Sequence, residues 1–451
     1  MISRKTEAVF LFLGDLILLY VALFFTLFIR YGADLKWQLV SLHLLPFSLL
    51  FFASLVVFFI AGLYERHTLF FQKRLPVLLL KTLIVNSVFA VLLFYFIPSF
   101  LITPRANLFI YLFVSFTLIF LWRWYGAGAT RGAAREQGIL VGGGEEFKEM
   151  LREVNGNSRY NLEFVVSCDL CTEANALCEE RIRQGIALRR AKILVVDLQS
   201  GICTPVLSFL YTIFFSPIRF VSFHALYEEI FGRIPLSLLE QKWFLEKVSV
   251  RGTTTYDALK RVMDILCALP LLIVPLVMMP CIKLAMWYED RGPLFIRQTR
   301  VGKDGRPVPI LKFRTMRFND GGKWEAGGNK ENGNSITRVG RFLRQTRLDE
   351  FPALWNVLKG DLSLIGPRPE FAEAVAHYTA EVPFYNARHL IKPGLSGWAQ
   401  LYGEHPHHGT DVVKTRNKLS YDLYYLKNRS FFLDLKIALK TVKVLLSRSG
   451  V

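Results

Sequence analysis

Four long apolar segments occupy the first quarter of the 451-residue chain, and they constrain its fold more than any other feature. Each approaches the roughly 20 residues that a helix needs to cross the hydrocarbon core of a bilayer. Tryptophan and tyrosine residues lie near the segment ends, as is typical of membrane interfaces. The segments run over Val9–Ile29, Leu42–Leu63, Leu75–Phe100 and Leu108–Trp124. The sequence therefore predicts a four-helix transmembrane domain over residues 1–128.

The distribution of basic residues predicts the orientation of these helices. The chain has 55 Lys and Arg against 37 Asp and Glu, which gives a net charge of +18. Counted together, the basic residues before the first segment, between the second and third, and after the fourth outnumber those in the other two loops. Because the more basic side of a membrane protein is normally cytoplasmic, the N-terminus and everything after the fourth segment are predicted to lie in the cytoplasm. No basic cluster carries a recognisable nucleic-acid-binding module, so nucleic acid is not an expected partner.

A smaller domain is predicted over residues 129–235. A short apolar strand at Gly138–Val141 is followed by three glycines and an amphipathic helix over about Glu145–Val154, and further strands and helices alternate after it. This alternation is typical of a Rossmann-like α/β domain with a parallel sheet. The glycine turn could cradle a diphosphate, but Phe147 stands where a dinucleotide-binding motif has its third glycine, so a purely structural turn is an equal alternative. Residues 236–255 are predicted to be a linker.

Two short motifs favour structural explanations. Cys168 and Cys171 form a CxxC, but a zinc site would need a second pair at suitable spacing, so the cysteines are expected to be reduced. Tyr256 and Lys260 have the YxxxK spacing of short-chain dehydrogenases. They lie outside the α/β domain, and its glycine motif is degenerate, so redox chemistry is not expected.

The C-terminal part of the chain carries several motifs in a fixed order. They are RQTRVG from Arg297, LKFRTM from Leu311, RLDEFP from Arg347, LWNVLKGD from Leu354, GPRP from Gly366 and KPGLSGW from Lys392. These motifs resemble the bacterial sugar transferase family, the monotopic polyprenyl phosphate phosphoglycosyl transferases. The preceding spans and α/β domain resemble the large form of that family, whose members start exopolysaccharide or O-antigen repeat units. The resemblance implies a mainly helical catalytic domain over residues 256–451.

The resemblance also implies a reaction. A hexose-1-phosphate would move from a UDP-sugar to undecaprenyl phosphate, giving a polyprenyl-diphospho-sugar and UMP. A covalent phospho-sugar on Asp349 would be the intermediate, and Asp349 would hold Mg²⁺. Glucose or galactose is the expected sugar, with an N-acetylated amino sugar as the alternative. The enzyme would lie in the bacterial inner membrane with its catalytic domain in the cytoplasm. The α/β domain would bind a regulator or hold two copies together, and a homodimer is predicted.

The residues themselves are suited to such chemistry. Asp349 and Glu350 are adjacent carboxylates in basic surroundings, and on a helix neighbouring side chains point about 100° apart, so the two cannot have the same role. One could attack phosphorus while the other faces a metal or supports the site. An isolated acidic pair would rather be a pair of solvated helix charges, but the surrounding motifs favour the catalytic interpretation. Phosphoryl transfer requires charge neutralisation, and the candidate substrate-binding cations are Lys312, Arg314, Arg344 and Arg368.

A fifth apolar stretch, from about Val262 to Trp287, contains three prolines, of which Pro270 is the first. An interior proline removes a helix hydrogen bond and kinks the axis. A simple crossing would put the following residues outside the cell, whereas nucleotide sugars are cytoplasmic. The two statements are reconciled if a re-entrant helix, about residues 258–288, enters the membrane, turns at Pro270 and returns to the same face. Such a helix requires partners for its freed backbone groups.

Two other functions stay open from the sequence. The first is a transporter of lipid-linked sugars, although Asp15, Lys81 and Asn86 are explained by buried pairing or snorkelling more readily than by a transport pathway. The second is a regulatory scaffold whose α/β domain senses a nucleotide. The end of the chain, Phe431–Ser447, has the pattern of an interfacial amphipathic helix, with core packing as the alternative.

Overall fold

The apolar segments of the first quarter are helical in the computed structural model of the protein. The helices are α1 (Arg4–Tyr31), α2 (Trp37–Ala61), α3 (Leu75–Phe96) and α4 (Arg105–Ala129). Among the described residues, Phe10–Tyr31 and Trp37–Ala61 are long and apolar enough to span a membrane, whereas the apolar parts Leu79–Phe94 and Asn107–Arg123 are shorter. The predicted apolar helices are therefore confirmed, and their arrangement as a four-helix transmembrane bundle stays a prediction.

The structure describes most of the chain as two compact units. The described residues are 4–61, 63–64, 75–96, 105–129, 135–157, 160, 162–187, 191–198, 201–248, 254–317, 336–404 and 411–446. The first unit is Met1–Arg135 with Ser158–Asn161, and the second is Glu136–Asn157 with Leu162–Val451. The α/β domain and the catalytic region predicted from the sequence therefore belong to one unit.

A buried ion pair lies inside the first unit. Asp15 of α1 pairs with Arg123 of α4, and neither side chain is more than 3% exposed. Tyr64 Oη donates to Asp15 Oδ2 (2.8 Å), and Arg123 Nη1 donates to the Leu63 carbonyl (2.8 Å). A charge in an apolar interior is tolerated only when it is paired and hydrogen-bonded. The prediction of buried pairing for Asp15 is confirmed.

The second unit begins with a parallel α/β layer. Its strands are β1 (Glu136–Gly142), β2 (Leu162–Asp169), β3 (Ile193–Val196) and β4 (Arg219–Ser222), in the order β2-β1-β3-β4. Its helices are α5 (Glu145–Gly156), α6 (Asn175–Ala187), α7 (Leu207–Ile213), α8 (Phe223–Phe231) and α9 (Gln241–Lys247). All three strand pairs are parallel, which confirms the predicted α/β layer with a parallel sheet. The finer Rossmann-like description stays a prediction.

The glycine turn between β1 and α5 is tightly packed. Gly144 has φ +90°, a conformation that L side chains rarely adopt, and a Cβ on Gly143 would lie 2.5 Å from Cys171 Sγ. Phe147 is buried in the first turn of α5. Close packing therefore accounts for these residues, and a diphosphate site at this turn stays an untested alternative.

The rest of the second unit is mostly helical. Its helices are α10 (Thr254–Glu289), α11 (Arg338–Gln345), α12 (Leu354–Lys359), α13 (Ala372–Glu381), α14 (Trp398–Tyr402), α15 (Val412–Asn428) and α16 (Phe431–Leu446). An antiparallel hairpin of β5 (Phe295–Val301) and β6 (Pro307–Phe313) follows α10. A short parallel pair, β7 (Ser363–Ile365) and β8 (Gly394–Ser396), lies further along the chain.

The long helix α10 is the third described helix that is apolar and long enough to span a membrane. It packs against its own unit in its middle and near its C-terminal end. Ala268 belongs to a core that includes Ala353 and Leu354, and Met286 belongs to a core with Leu343. The opposite face is apolar and exposed, with Val277 at 70%. The helical assignment continues through all three prolines, so a turn at Pro270 stays a prediction.

The YxxxK pair at the start of α10 is structural. Tyr256 Oη donates to Asp434 Oδ2 (2.7 Å), and Lys260 Nζ donates to the same oxygen (2.9 Å). Tyr425 Oη donates to Asp434 Oδ1 (2.7 Å). Asp434 is only 1% exposed. A buried carboxylate therefore ties α10 to α16 through both residues of the YxxxK pair.

Residues before α10 are hydrogen-bonded to residues that follow it. Trp398 Nε1 donates to the Gly232 carbonyl (2.7 Å), and the Ile234 amide donates to the Ser420 carbonyl (3.2 Å). Part of the predicted linker is also packed, because Trp243 lies in a core with residues of α15 and α16. The α/β layer and the region after α10 therefore form one continuous folded body.

Candidate active site

The two adjacent carboxylates lie in a 3₁₀ turn, Leu348–Ala353, between α11 and α12. Three residues per turn place neighbouring side chains about 120° apart, so Asp349 and Glu350 point in different directions, as the sequence predicted for a helix. Arg347, just before the turn, has φ +57°. This left-handed conformation costs a non-glycine residue about 1–3 kcal/mol and is concentrated at functional sites. The backbone here is constrained to direct the two carboxylates apart.

Glu350 is held by two cations. Lys312 Nζ donates to Glu350 Oε1 (3.0 Å), and Arg368 Nη2 donates to the same oxygen (2.5 Å). Arg368 Nη1 reaches the second oxygen at 3.3 Å. Burial alone would raise the pKa of the Glu350 carboxyl, but Arg368 and Lys312 outweigh it and hold that pKa well below its usual range. Glu350 is therefore an ionised, fully engaged carboxylate.

Asp349 has the opposite environment. Its half-buried carboxylate receives no hydrogen bond and no ion pair from the residues that the structure describes. Burial and the neighbouring charge of Glu350 raise its pKa, and Lys312, Arg344 and Arg368 oppose that rise through space. An unengaged carboxylate beside three cations is free to bond to another atom, which is the property that a nucleophile or a metal ligand requires.

Of the four cations predicted from the sequence, three lie near the two carboxylates and the fourth, Arg314, does not. Lys312 and Arg368 touch Glu350, and Arg344 lies close enough to influence Asp349 while its Nε donates to Thr315 Oγ1 (2.8 Å).

Arg314 has a different environment. Its side chain is 6% exposed, its guanidinium pairs with both oxygens of Asp290, at 2.7 and 2.5 Å, and its Nε donates to the Pro293 carbonyl. These contacts hold the loop after α10. The structure therefore brings three of the four cations to the carboxylates, and it does not bring the Arg314 guanidinium to them.

The Gly-Pro-Arg-Pro motif is fixed by the β7–β8 pair. The Gly366 amide donates to the Ser396 carbonyl (2.8 Å), and the Gly394 amide donates to the Pro367 carbonyl (2.9 Å). A Cβ on Gly394 would collide with Gly366, so the two chains approach this closely only with glycine. Arg388 Nη2 donates to the Arg368 carbonyl (2.9 Å). Two motifs far apart in the sequence thus position one guanidinium.

A recess open to solvent lies beside Glu350, with about 340 Å³ of empty space. Its lining includes Lys312, Glu350, Arg368 and Arg300. Arg300 belongs to the RQTRVG motif, but the sequence alone did not assign it to the site. The β5–β6 hairpin could have indicated this role for Arg300. A turn of a few residues between two strands sets their register, and the register determines which basic residues share a face.

The comparisons with known proteins decide the family. Residues 255–448 match the family model described as bacterial sugar transferase. A UDP-glucose:undecaprenyl-phosphate glucose-1-phosphate transferase of Caulobacter vibrioides is 42% identical over 194 residues, which are 42% of this chain and 71% of that protein. The chain belongs to the bacterial sugar transferase family. The resemblance inferred from the ordered motifs is confirmed.

Two further relatives in the family carry different sugars in their names. A UDP-N-acetylgalactosamine-undecaprenyl-phosphate N-acetylgalactosaminephosphotransferase of Aeromonas hydrophila is 39% identical over 231 residues, 49% of this chain and 51% of that protein. An undecaprenyl-phosphate galactose phosphotransferase of Salmonella typhimurium is 36% identical over 209 residues, 43% of this chain and 41% of that protein. The match thus spans about half the length of the Aeromonas relative. The family membership leaves the sugar open.

Outside this site, one group of possible metal ligands occurs among the described residues. Cys168, Glu173 and Cys178 place one ligand atom each within 4.8 Å of one another. Arg181 already binds both oxygens of Glu173, at 2.9 and 2.8 Å. Burial raises the pKa of the Cys168 thiol to about 12, which disfavours the thiolate that a metal requires. Cys171 of the CxxC is exposed and is not in this group.

Proposed function

We propose that the protein transfers a hexose-1-phosphate from a UDP-sugar to undecaprenyl phosphate through a phospho-sugar on Asp349. In the first step a carboxylate oxygen of Asp349 attacks the phosphorus that carries the sugar. The bond from that phosphorus to the bridging oxygen breaks, and UMP leaves with the electron pair. In the second step a phosphate oxygen of undecaprenyl phosphate attacks the same phosphorus and displaces Asp349. One phosphoanhydride replaces another, so no ATP is required.

The contrast between the two carboxylates is the observation that supports this assignment. Glu350 is engaged by Lys312 and Arg368, whereas Asp349 has no such partner among the described residues. Phosphoryl transfer depends mainly on positioning and on charge stabilisation, which Lys312, Arg344 and Arg368 supply around Asp349. Glu350 then keeps Lys312 and Arg368 in place while Asp349 reacts.

The proposal includes Mg²⁺, and the residues fit it. Asp349 is the carboxylate that would hold the ion, because it accepts no hydrogen bond from the described residues, whereas Lys312 and Arg368 already bind Glu350. When bound, Mg²⁺ supplies positive charge to the diphosphate of the donor. All other roles in the proposal belong to the side chains named above.

We also propose that α10 is re-entrant and that the catalytic residues face the cytoplasm of a bacterial inner membrane. Gly232 and Ile234 precede α10, and their partners Trp398 and Ser420 follow it. Residues bonded to each other lie on the same side of a membrane, and these contacts therefore support a helix that returns to the face it entered. The exposed apolar face of α10 is suited to lipid, and its other face packs on the unit. The homodimer, the pathway and the hexose stay predictions.

The test is an assay of purified protein with undecaprenyl phosphate and a panel of UDP-sugars, including glucose, galactose and N-acetylgalactosamine. UMP and the lipid-linked product are measured. We expect Asp349→Asn to reduce turnover by at least about 1,000-fold, as expected when a nucleophile is removed. Asp304→Asn is the matched control, because Asp304 is an exposed turn residue with φ +56°, which Asn tolerates.

Intact-mass spectrometry with donor alone distinguishes the mechanism. The wild-type protein and Asp304→Asn should each gain the mass of one hexose phosphate, and Asp349→Asn should not. Product formation with no such adduct at any time point would rule out the covalent route. The absence of product with every UDP-sugar would leave a transporter or scaffold as the better description.

A further inference from the structure

Arg300 shares a face of the β5–β6 hairpin with Lys312. The antiparallel register pairs Arg300 with Val308 and Ile296 with Lys312. Directly paired residues lie on the same face of a sheet, and residues two apart on one strand also share a face. Arg300 and Lys312 therefore both point toward the recess beside Glu350, whose lining includes both residues.

The Arg300 guanidinium is fixed in position before any ligand binds. It stacks on the ring of Phe371, with 3.3 Å between the guanidinium carbon and the ring centroid. Nη2 donates to Gln298 Oε1 (3.1 Å). The next residue, Val301, donates its amide to the Glu370 carbonyl (2.8 Å), which joins the hairpin to the segment after Arg368. A planar cation stacked on an aromatic ring loses little freedom when it binds an anion.

The described lining of the recess carries more positive than negative charge. Glu350 is the one carboxylate in the described lining, and it is bound by Lys312 and Arg368. Glu370, the next carboxylate along the chain, is paired with Lys418 and Arg388. No ion pair reaches Arg300 from the described residues. Three cations facing one carboxylate give the recess a net charge of about +2, which suits an anion such as a diphosphate.

The positions of Arg300 and Asp349 relative to the recess indicate which phosphate Arg300 can reach. Arg300 lines the recess beside Glu350, whereas Asp349 is not among the described residues of that lining. The phosphorus under attack must lie next to Asp349. The neighbouring phosphate of the donor, which departs with the nucleoside, therefore lies toward Arg300.

We infer that Arg300, stacked on Phe371, binds the phosphate that leaves with the nucleoside. The inference rests on the proposed function, and it assigns one more substrate-binding residue to that site. Arg300 donates planar N–H groups to the leaving phosphate and holds it in line while the bond to the transferred phosphorus breaks.

The test measures UMP binding by titration calorimetry and the KM of each substrate for Arg300→Met. Arg297→Met is the matched control, because Arg297 pairs with Leu311 on the opposite face of the same strand and is exposed. Loss of a charged hydrogen bond should weaken UMP binding roughly 10- to 100-fold. The KM of the UDP-sugar should rise with it, and the KM of undecaprenyl phosphate should stay the same. Arg297→Met should bind UMP like the wild-type protein.

Two further variants separate binding from folding. Arg300→Lys keeps the charge but loses the planar stack, so its UMP affinity should lie between those of the wild-type protein and Arg300→Met. Phe371→Leu should weaken UMP binding by a smaller factor. The effects of Phe371→Leu and Arg300→Met should not add in the double variant, because both act on one contact.

Several outcomes would overturn the inference. Unchanged UMP affinity in both Arg300 variants removes the proposed contact. A raised KM for undecaprenyl phosphate with unchanged UMP affinity assigns Arg300 to the acceptor instead. If the wild-type protein binds UMP but transfers no sugar phosphate, the proposed function fails, and the comparison of UMP affinities still decides the role of Arg300.

Discussion

Two adjacent carboxylates in this protein differ because of their partners. Asp349 and Glu350 are one position apart, yet two cations bind Glu350, and Asp349 receives no hydrogen bond from the described residues. Burial raises the pKa of Asp349 and would also raise that of Glu350, but Arg368 and Lys312 reverse the direction for Glu350. Position in the sequence alone does not distinguish the environments of the two carboxylates, and the neighbouring cations do.

Glu350→Gln should slow the reaction without abolishing the covalent step. Gln keeps the shape of the side chain but loses the charge, so Lys312 and Arg368 repel each other and lose their common anchor. We expect formation of the phospho-sugar adduct on Asp349 to slow roughly 10- to 100-fold. Intact-mass time courses with donor alone measure this rate.

The control for this variant is Glu373→Gln, because Glu373 is exposed in the first turn of α13. It should form the adduct at the wild-type rate. Complete loss of the adduct in Glu350→Gln would mean that Glu350, and not Asp349 alone, takes part in bond formation.

The cations show how far the sequence could predict the site. Lys312, Arg344 and Arg368 lie in motifs close to the carboxylates, and the structure places all three near Asp349. Arg314 lies two residues after Lys312, and its commitment to Asp290 depends on how the loop after α10 folds. Arg300 reaches the recess through a strand register and a contact with Phe371, 71 positions away along the chain. Long-range packing of this kind is not encoded in a local motif.

Among the elements, α10 supports both sides of the site. Arg261 donates to the Val357 and Leu358 carbonyls, at 2.6 and 2.5 Å, at the end of α12. Asp264 accepts from Ser363 Oγ (3.1 Å) and from the Leu364 amide (3.0 Å) of β7. The helix α12 follows the Asp349 turn, and β7 precedes the Arg368 motif. A helix expected in the membrane is thus bonded to both elements that position the reacting groups.

Arg261→Met should therefore lower both stability and turnover. Loss of two charge-assisted hydrogen bonds to carbonyls at a helix C-terminus should reduce stability by about 2–4 kcal/mol. Because α12 would shift relative to Asp349, kcat should fall, while UMP affinity should change little. The measurements are the unfolding midpoint in detergent, kcat and UMP titration.

Lys283→Met is the matched control, because Lys283 lies on an exposed face of the same helix. It should leave both kcat and the unfolding midpoint unchanged. An Arg261→Met protein with wild-type kcat would show that α10 anchors the unit without positioning the site.

At the scale of the whole chain, the sequence predicted an α/β domain, a linker and a catalytic domain one after another. In the structure, these parts of the second unit are hydrogen-bonded to one another. The ordered motifs and the alternation of strands and helices could be predicted from short stretches of the sequence. The bonds from Gly232 and Ile234 to Trp398 and Ser420 join residues more than 150 positions apart, and no periodicity reports them. Arg233 also donates to both oxygens of Glu149 in α5 (2.5 and 2.6 Å), so the connection extends from the glycine-turn helix to the α14–α15 region.

This integration predicts the membrane topology. Arg152, in the α/β layer, and Lys303, after α10, are both exposed. In a protein whose exposed native cysteines are changed to serine, Arg152→Cys and Lys303→Cys should both react with an impermeant maleimide in inverted vesicles. Neither should react in intact spheroplasts, because residues of one folded body lie on one side of the membrane.

Lys36→Cys gives the opposite control, because Lys36 is exposed between α1 and α2, in a loop that the charge distribution predicts to lie outside the cytoplasm. It should react in spheroplasts and not in inverted vesicles. Reaction of Lys303→Cys from the same side as Lys36→Cys would mean that α10 crosses the membrane. The hydrogen bonds between Gly232 and Trp398 and between Ile234 and Ser420 could not then exist in the membrane-bound protein. This labelling experiment therefore tests the membrane topology and the fold of the second unit together.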